Sequence, residues 1–196
     1  MEDRLTKQLA FLTEIDALKS VIRQSSIVDR SRRENSAEHS WHLAMFALVL
    51  ADDRLDAGKV ISMLLIHDIV EIDAGDAPIH GVHDTAALEF AESRAAERFF
   101  GILPSDQAMR LLSLWREYES AESPEARFAK ALNRLQPLLL NTLTGGGTWT
   151  ENNVSEQQVH ERYGPAIEGG LPMLWDHARE LVKQHFANSG AWRLSA

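Results

Sequence analysis

The chain has 196 residues, no cysteine, 44% apolar and 25% charged residues, and a formal charge of −9. Those figures suit one soluble globular domain with a sizeable core. They exclude disulfides, thiolate metal sites and cysteine nucleophiles, and argue against a general nucleic-acid binder, because phosphate backbones attract basic surfaces.

The apolar pattern is helical almost throughout. Leu5, Leu9, Leu12, Ile15, Leu18 and Ile22 recur every three or four residues and predict an amphipathic first helix. A polar stretch, Ser25 to Asn35, interrupts the pattern. Ser36 reads as the N-cap of a helix over about Ala37–Ala51, and Asp56 caps the next, about Ala57–Asp73. Gly75 is expected to end it in a left-handed conformation. Ala77 to His83 reads as a loop, with His80 and His83 as exposed loop histidines in preference to residues that line a site mouth or add ligands. Asp84 caps a helix over about Thr85–Phe100, and Pro104-Ser105 opens another through about Ser120. Ser123-Pro124 combines a capping hydroxyl with a proline whose missing N–H costs little there. That helix is expected to run to about Asn141, kinked at Pro137.

Gly145-Gly146-Gly147 reads as a mobile loop, since no lysine or helix start follows in P-loop fashion. Two more helices follow, about Ser155–Tyr163 and Pro172–Ala187. No β-hairpin, repeat or linker stands out. The expectation is an all-α bundle forming one domain over 1–196, with its core at about 18–175. No apolar run reaches membrane-spanning length, and Met1-Glu2-Asp3-Arg4 has no signal-peptide pattern, so a cytoplasmic location without membrane contact is expected.

The chemistry concentrates in the run His67-Asp68-Ile69-Val70-Glu71-Ile72-Asp73-Ala74-Gly75-Asp76. An imidazole and a carboxylate sit side by side at the end of a strongly apolar stretch. On a helix they point about 100° apart, so they converge only on something lying between them. Imidazole nitrogen and carboxylate oxygen together suit Mn, Fe, Co, Ni or Zn. A His-Asp dipeptide alone is a weak signal, since buried structural pairs look the same. Glu71 lies one turn beyond His67 on the same face, and Asp76 follows the helix stop, where a loop can fold it back. A second block, Arg33-Glu34-Asn35-Ser36-Ala37-Glu38-His39-Ser40-Trp41-His42, offers His39 and His42. Trp41, Trp115, Trp149 and Trp175 read as core or interface packing.

With a third block, Pro124-Glu125-Ala126-Arg127-Phe128-Ala129-Lys130-Ala131-Leu132-Asn133-Arg134-Leu135, the chain resembles the HD-domain metal-dependent phosphohydrolases. The subgroup it looks most like is the small 5′-deoxynucleotidases. The resemblance spans roughly Leu18 to Trp175. It implies a divalent cation (Mn, Co, Mg, Fe, Ni or Zn) held by His39, His67, Asp68 and a fourth residue, where the family has aspartate and this chain has Asn133. Glu71 and Asp76 correspond to the catalytic acids. Arg23, in the first helix, corresponds to an arginine that meets the substrate phosphate, and Arg33 is a second candidate. The implied reaction removes the 5′-phosphate from a deoxynucleoside monophosphate. Hydrolysis of another small phosphate ester or a triphosphate, or nucleotide binding with catalysis weakened by Asn133, are the alternatives. A homodimer is expected, C2 dimers being the commonest oligomers.

Overall fold

The computed structural model describes residues 4–193, and side chains through Asn188. Residues 1–3 and 194–196 of the expected domain lie outside the described residues. Helix α1 (Arg4–Glu14) is amphipathic as read, but it tightens into a 3-10 segment (Ile15–Ser20) and ends there. The chain then extends as β1 (Ile22–Ser26), which pairs antiparallel with β2 (Arg33–Asn35). This small ribbon corrects two expectations. A hairpin does exist, and Arg23 lies on its first strand rather than in the first helix. Ile22-Arg23-Gln24-Ser25-Ser26 lacks the alternating β-branched residues that mark a strand, so the sequence carries no sign of it.

Helix α2 (Ser36–Leu50) starts one residue before the expected point. Asn35, not Ser36, is its cap, accepting from Glu38 N while the Glu38 carboxylate accepts from Asn35 N. That capping box satisfies two backbone donors and frees the Ser36 hydroxyl for the site. Helix α3 (Ala57–Ile66) is capped by Asp56 as read. The continuous helix expected to Asp73 is broken: a 3-10 segment (His67–Val70) separates α3 from the single turn α4 (Glu71–Ala74). Gly75, at φ +81°, ends that turn.

Helices α5 (Thr85–Gly101) and α6 (Ser105–Ser120) form an outer pair. Helix α7 (Pro124–Leu143) starts at Ser123-Pro124 as read, contains Pro137, and packs against α2, α3, α6, α9 and α10. Gly145 to Gly147 form a turn with positive φ throughout, leading into the short α8 (Gly147–Glu151), rather than an open loop. Asn141 Oδ1 secures that turn by accepting from Thr148 N at 2.8 Å. Helix α9 (Glu156–Gly170) runs through Pro165, past its expected end at Tyr163. Helix α10 (Pro172–Arg193) is likewise longer than read.

The core falls into three apolar groups. Phe99, Phe100 and Trp115 anchor the one around α5 and α6, Leu43, Met63, Leu64 and Leu132 the one where α2 and α3 meet α7, and Trp149, Tyr163 and Trp175 the one where α7 meets α9 and α10. Each fully buried large side chain contributes about 1.5–3 kcal/mol. Trp41, read as core or interface packing, lies outside the core: it is 62% exposed on α2. Among the described residues no helix is long and apolar enough to cross a membrane.

Candidate metal centre and substrate cleft

Two elements bring His39, His67 and Asp68 together. His39 sits in the first turn of α2, fixed by the Asn35 cap, and His67 and Asp68 open the 3-10 segment. All three are buried, and a ligand atom from each lies within 4.8 Å of the others. The local break in the helix has a visible partner: His67 Nδ1 is 2.8 Å from the carbonyl of Leu64 and donates to it. That bond leaves the His67 Nε2 lone pair buried, without a hydrogen bond, and 2.9 Å from Asp68 Oδ1.

Asn133, on α7, completes the group. Its amide nitrogen donates to Tyr118 Oη at 2.8 Å, so its oxygen must face the other way. That oxygen lies 2.9 Å from His39 Nε2. Gln136, one turn further along α7, donates its amide nitrogen to Glu34 Oε1 at 2.8 Å, and its oxygen accepts from His39 Nδ1 at 3.1 Å. The proton of His39 is therefore on Nδ1, and its Nε2 lone pair points at the Asn133 oxygen. Burial first, then the charge of Arg23, holds the His39 pKa low, so the ring stays neutral.

Two acceptors facing one another at 2.9 Å repel unless a cation lies between them. His39 Nε2, Asn133 Oδ1, His67 Nε2 and Asp68 are all acceptors and all converge. Nitrogen and oxygen ligands of this kind hold a divalent cation at about 2.0–2.2 Å, and outer hydrogen bonds fix both imidazoles in the ligating tautomer. The residues present fit a divalent metal. The donor set carries one negative charge, from Asp68, because the amide of Asn133 is neutral.

Arg23 stands beside this group, with its side chain 14% exposed. Its Nη1 donates to Asp68 Oδ2 at 3.1 Å and lies 3.5 Å from Asp76 and 3.6 Å from Glu71. Its Nε lies 3.7 Å from Glu34 Oε2. Glu71 also accepts from the Ser36 hydroxyl at 2.6 Å. Burial, then the charge of Asp68, raises the Glu71 pKa, while Arg23 opposes the shift. Burial also raises Asp76, again against Arg23. Burial pushes Asp68 up too, but the groups around it, the Arg23 guanidinium among them, outweigh that and hold this carboxyl well below the usual range. Low charge on Asp68 is thus disfavoured, whereas Glu71 and Asp76 are suited to carrying protons.

The structure brings together His39, His67, Asp68, Asn133, Glu71, Asp76 and Arg23. Arg33 it places elsewhere: that guanidinium donates to the Gln24 carbonyl and pairs with Glu151 on α8 at 2.9 Å.

A small cleft of about 50 Å³ opens from Arg23 and Asp76. Its walls include Pro78, Ile79 and His80 from the loop, Arg134 and Pro137 from α7, and Tyr163 from α9. His80 therefore lines the cleft, contrary to the exposed position expected, while His83, exposed, bonds back to the Pro78 carbonyl. Burial and the nearby Arg162 lower the His80 pKa to about 4. Sequence reasoning also missed Glu34, Gln136 and Tyr118, whose partners lie far along the chain.

The HD domain family model matches residues 15–175. The human protein 5′-deoxynucleotidase HDDC2 is 32% identical over 133 residues, which cover 67% of this chain and 65% of that protein. The chain thus matches just under two thirds of that relative's length. A solved structure from Magnetospirillum magnetotacticum, described as a predicted metal-dependent phosphohydrolase, superposes with a TM-score of 0.88. It is 49% identical and covers 95% of this chain and 97% of its own. A conserved hypothetical protein from Pyrococcus furiosus, 20% identical with a TM-score of 0.59, shares the fold alone, over 88% of this chain and 99% of its own.

Proposed function

The chain belongs to the HD domain family, and on that premise we propose that it is a metal-dependent phosphohydrolase that removes the 5′-phosphate from deoxynucleoside monophosphates. The observation that carries this reading is the convergence of four acceptors from His39, His67, Asp68 and Asn133 beside Arg23, Glu71 and Asp76. The relatives named 5′-deoxynucleotidases suggest the substrate.

A bound divalent cation would polarise the phosphoryl group and make water a better nucleophile. The chain's residues do the rest. Arg23 receives a phosphate oxygen, exchanging its carboxylate partners for the substrate's growing negative charge. Of Glu71 and Asp76, one takes the proton of the attacking water and the other delivers one to the departing 5′ oxygen. The loop and α7 walls of the cleft flank the side of the site on which the nucleoside would lie.

The Asn133 amide gives a specific reason for a second reading, in which the chain binds nucleotide but turns it over slowly or not at all. Hydrolysis of another small phosphate ester or triphosphate is a variant of the first reading. All are tested by measuring phosphate release from the four deoxynucleoside monophosphates, a triphosphate and a non-nucleotide ester, with Mn, Co or Mg, by the chain and by Asn133→Asp. The expected result is metal-dependent release from monophosphates, faster in Asn133→Asp. No release by either chain from any monophosphate would sink the proposal.

We further infer one HD domain over the chain, with its core at about 18–175, acting in the cytoplasm as a homodimer. Support for the dimer comes from α2, where Trp41, Leu48 and Val49 are each more than 60% exposed. Light scattering on the purified chain tests it.

A further inference from the structure

We propose that Glu34 supplies, through His39, the negative charge that Asn133 withholds from the metal centre. The inference rests on the reading of His39, His67, Asp68 and Asn133 as ligands of a divalent cation.

Glu34 is the middle residue of β2, turned inward, and only 3% exposed. A buried carboxylate is costly unless other groups compensate it. Gln136 donates to its Oε1 at 2.8 Å. Its Oε2 has no hydrogen bond, yet lies 3.4 Å from His39 Nδ1, which carries that ring's proton, and 3.7 Å from Arg23 Nε, itself without a hydrogen bond. The carboxylate therefore stands behind a ligand histidine and beside the phosphate-facing arginine, touching neither the ligand position nor the cleft. A carboxylate in that position strengthens the ring as a donor to a cation on its far side. Where the inner ligands bring one charge instead of two, this outer charge carries more of the load. Glu34 is thus a positioning residue, and its effect should depend on what occupies position 133.

The test is a double-mutant cycle read by calorimetric titration with MnCl₂ or CoCl₂ alone, without substrate. The four chains are the parent, Glu34→Gln, Asn133→Asp and the double variant, with each fold checked by circular dichroism. Glu34→Gln is expected to weaken cation binding about 10–100-fold in the parent. In the Asn133→Asp background its effect should be smaller by roughly fivefold or more, the signature of coupled residues. Glu34→Asp, which keeps the charge, should recover part of the affinity. Should Glu34→Gln fail to fold, Glu34→Asp in both backgrounds completes the cycle, with the same sign of coupling expected.

A merely structural Glu34 would lower melting temperature in both backgrounds without coupling to position 133. Equal losses in the two backgrounds, or unchanged affinity in a folded Glu34→Gln, would overturn the inference while leaving the metal reading intact. Absence of cation binding in all four chains would overturn both.

Discussion

Arg23 holds the candidate site together, and removing it makes the sharpest test of the geometry. Its guanidinium is the cation set among Asp68, Asp76, Glu71 and Glu34, at 3.1, 3.5, 3.6 and 3.7 Å. At an effective dielectric of about 20, the contact with the ionised Asp68 has a gross Coulomb energy of about 5 kcal/mol. Desolvating the guanidinium takes most of that back, so the net value of the cluster is small. Deleting one partner is another matter, because the buried carboxylates remain and repel one another; such deletions cost about 3–5 kcal/mol. Arg23→Met, in metal-free buffer at neutral pH, should therefore lower the melting temperature by about 6–20 °C.

The pH dependence has a definite sign. Glu71 and Asp76 already have raised pKa values in the fold, and Arg23 lowers both. Without Arg23 they rise further. A raised acid costs stability between its unfolded value, near 4, and its folded one, and the cost stops growing above the latter. With Arg23 in place Glu71 is raised to about 9, so at neutral pH it is protonated in either folded chain and its further rise in Arg23→Met adds nothing there. Its share of the loss should instead appear as pH rises above about 9. Thermal melts at pH 7.5 and at about pH 10 measure it. A loss below about 1 kcal/mol at neutral pH, or no further loss at the higher pH, would refute the account of Arg23 as the counter-ion of this cluster.

Two further predictions concern other parts of the molecule. A Cβ on Gly170 would collide with the Arg127 carbonyl oxygen and the Ala131 Cβ where α9 crosses α7, whereas Gly169 faces open space. Gly170→Ala should cost about 1–3 kcal/mol, and Gly169→Ala should be neutral or stabilising; similar chemical melts for the two would contradict this packing. His80, with its pKa lowered to about 4, should titrate in that region by NMR rather than near 6.5. Since the unfolded chain takes up that proton first, His80 should make stability fall as pH drops from about 6.5 toward 4, and His80→Phe should remove that contribution. A titration midpoint near 6.5 would remove His80 from the cleft wall.

The parts legible in the sequence were those written locally. Asp56, Asp84 and Ser123 cap helices because a cap and its amide are three residues apart. His67, Asp68, Glu71 and Asp76 share one short run, so their clustering shows in the letters. Asn133 was placed by resemblance, not by spacing. Glu34 and Gln136 were not legible as partners, since 102 residues separate them. The hairpin that turns Glu34 inward has too few β-formers to announce itself, and the 3-10 break at His67 depends on a side-chain bond to Leu64 that no periodicity encodes. Arg33 was the reverse case: its position in the polar loop suggested the site, but Glu151, 118 residues away, holds its side chain.

Pro137 lies four residues beyond Asn133 and has no N–H to offer the carbonyl of that residue. Helix α7 thus has a missing rung directly beneath the side chain that it lends to the cation. His39 and His67 are pinned by their outer bonds, and the Asn133 amide by its bond to Tyr118 Oη at 2.8 Å, so a neighbouring helix braces the side chain at the turn where its own backbone ladder has a gap.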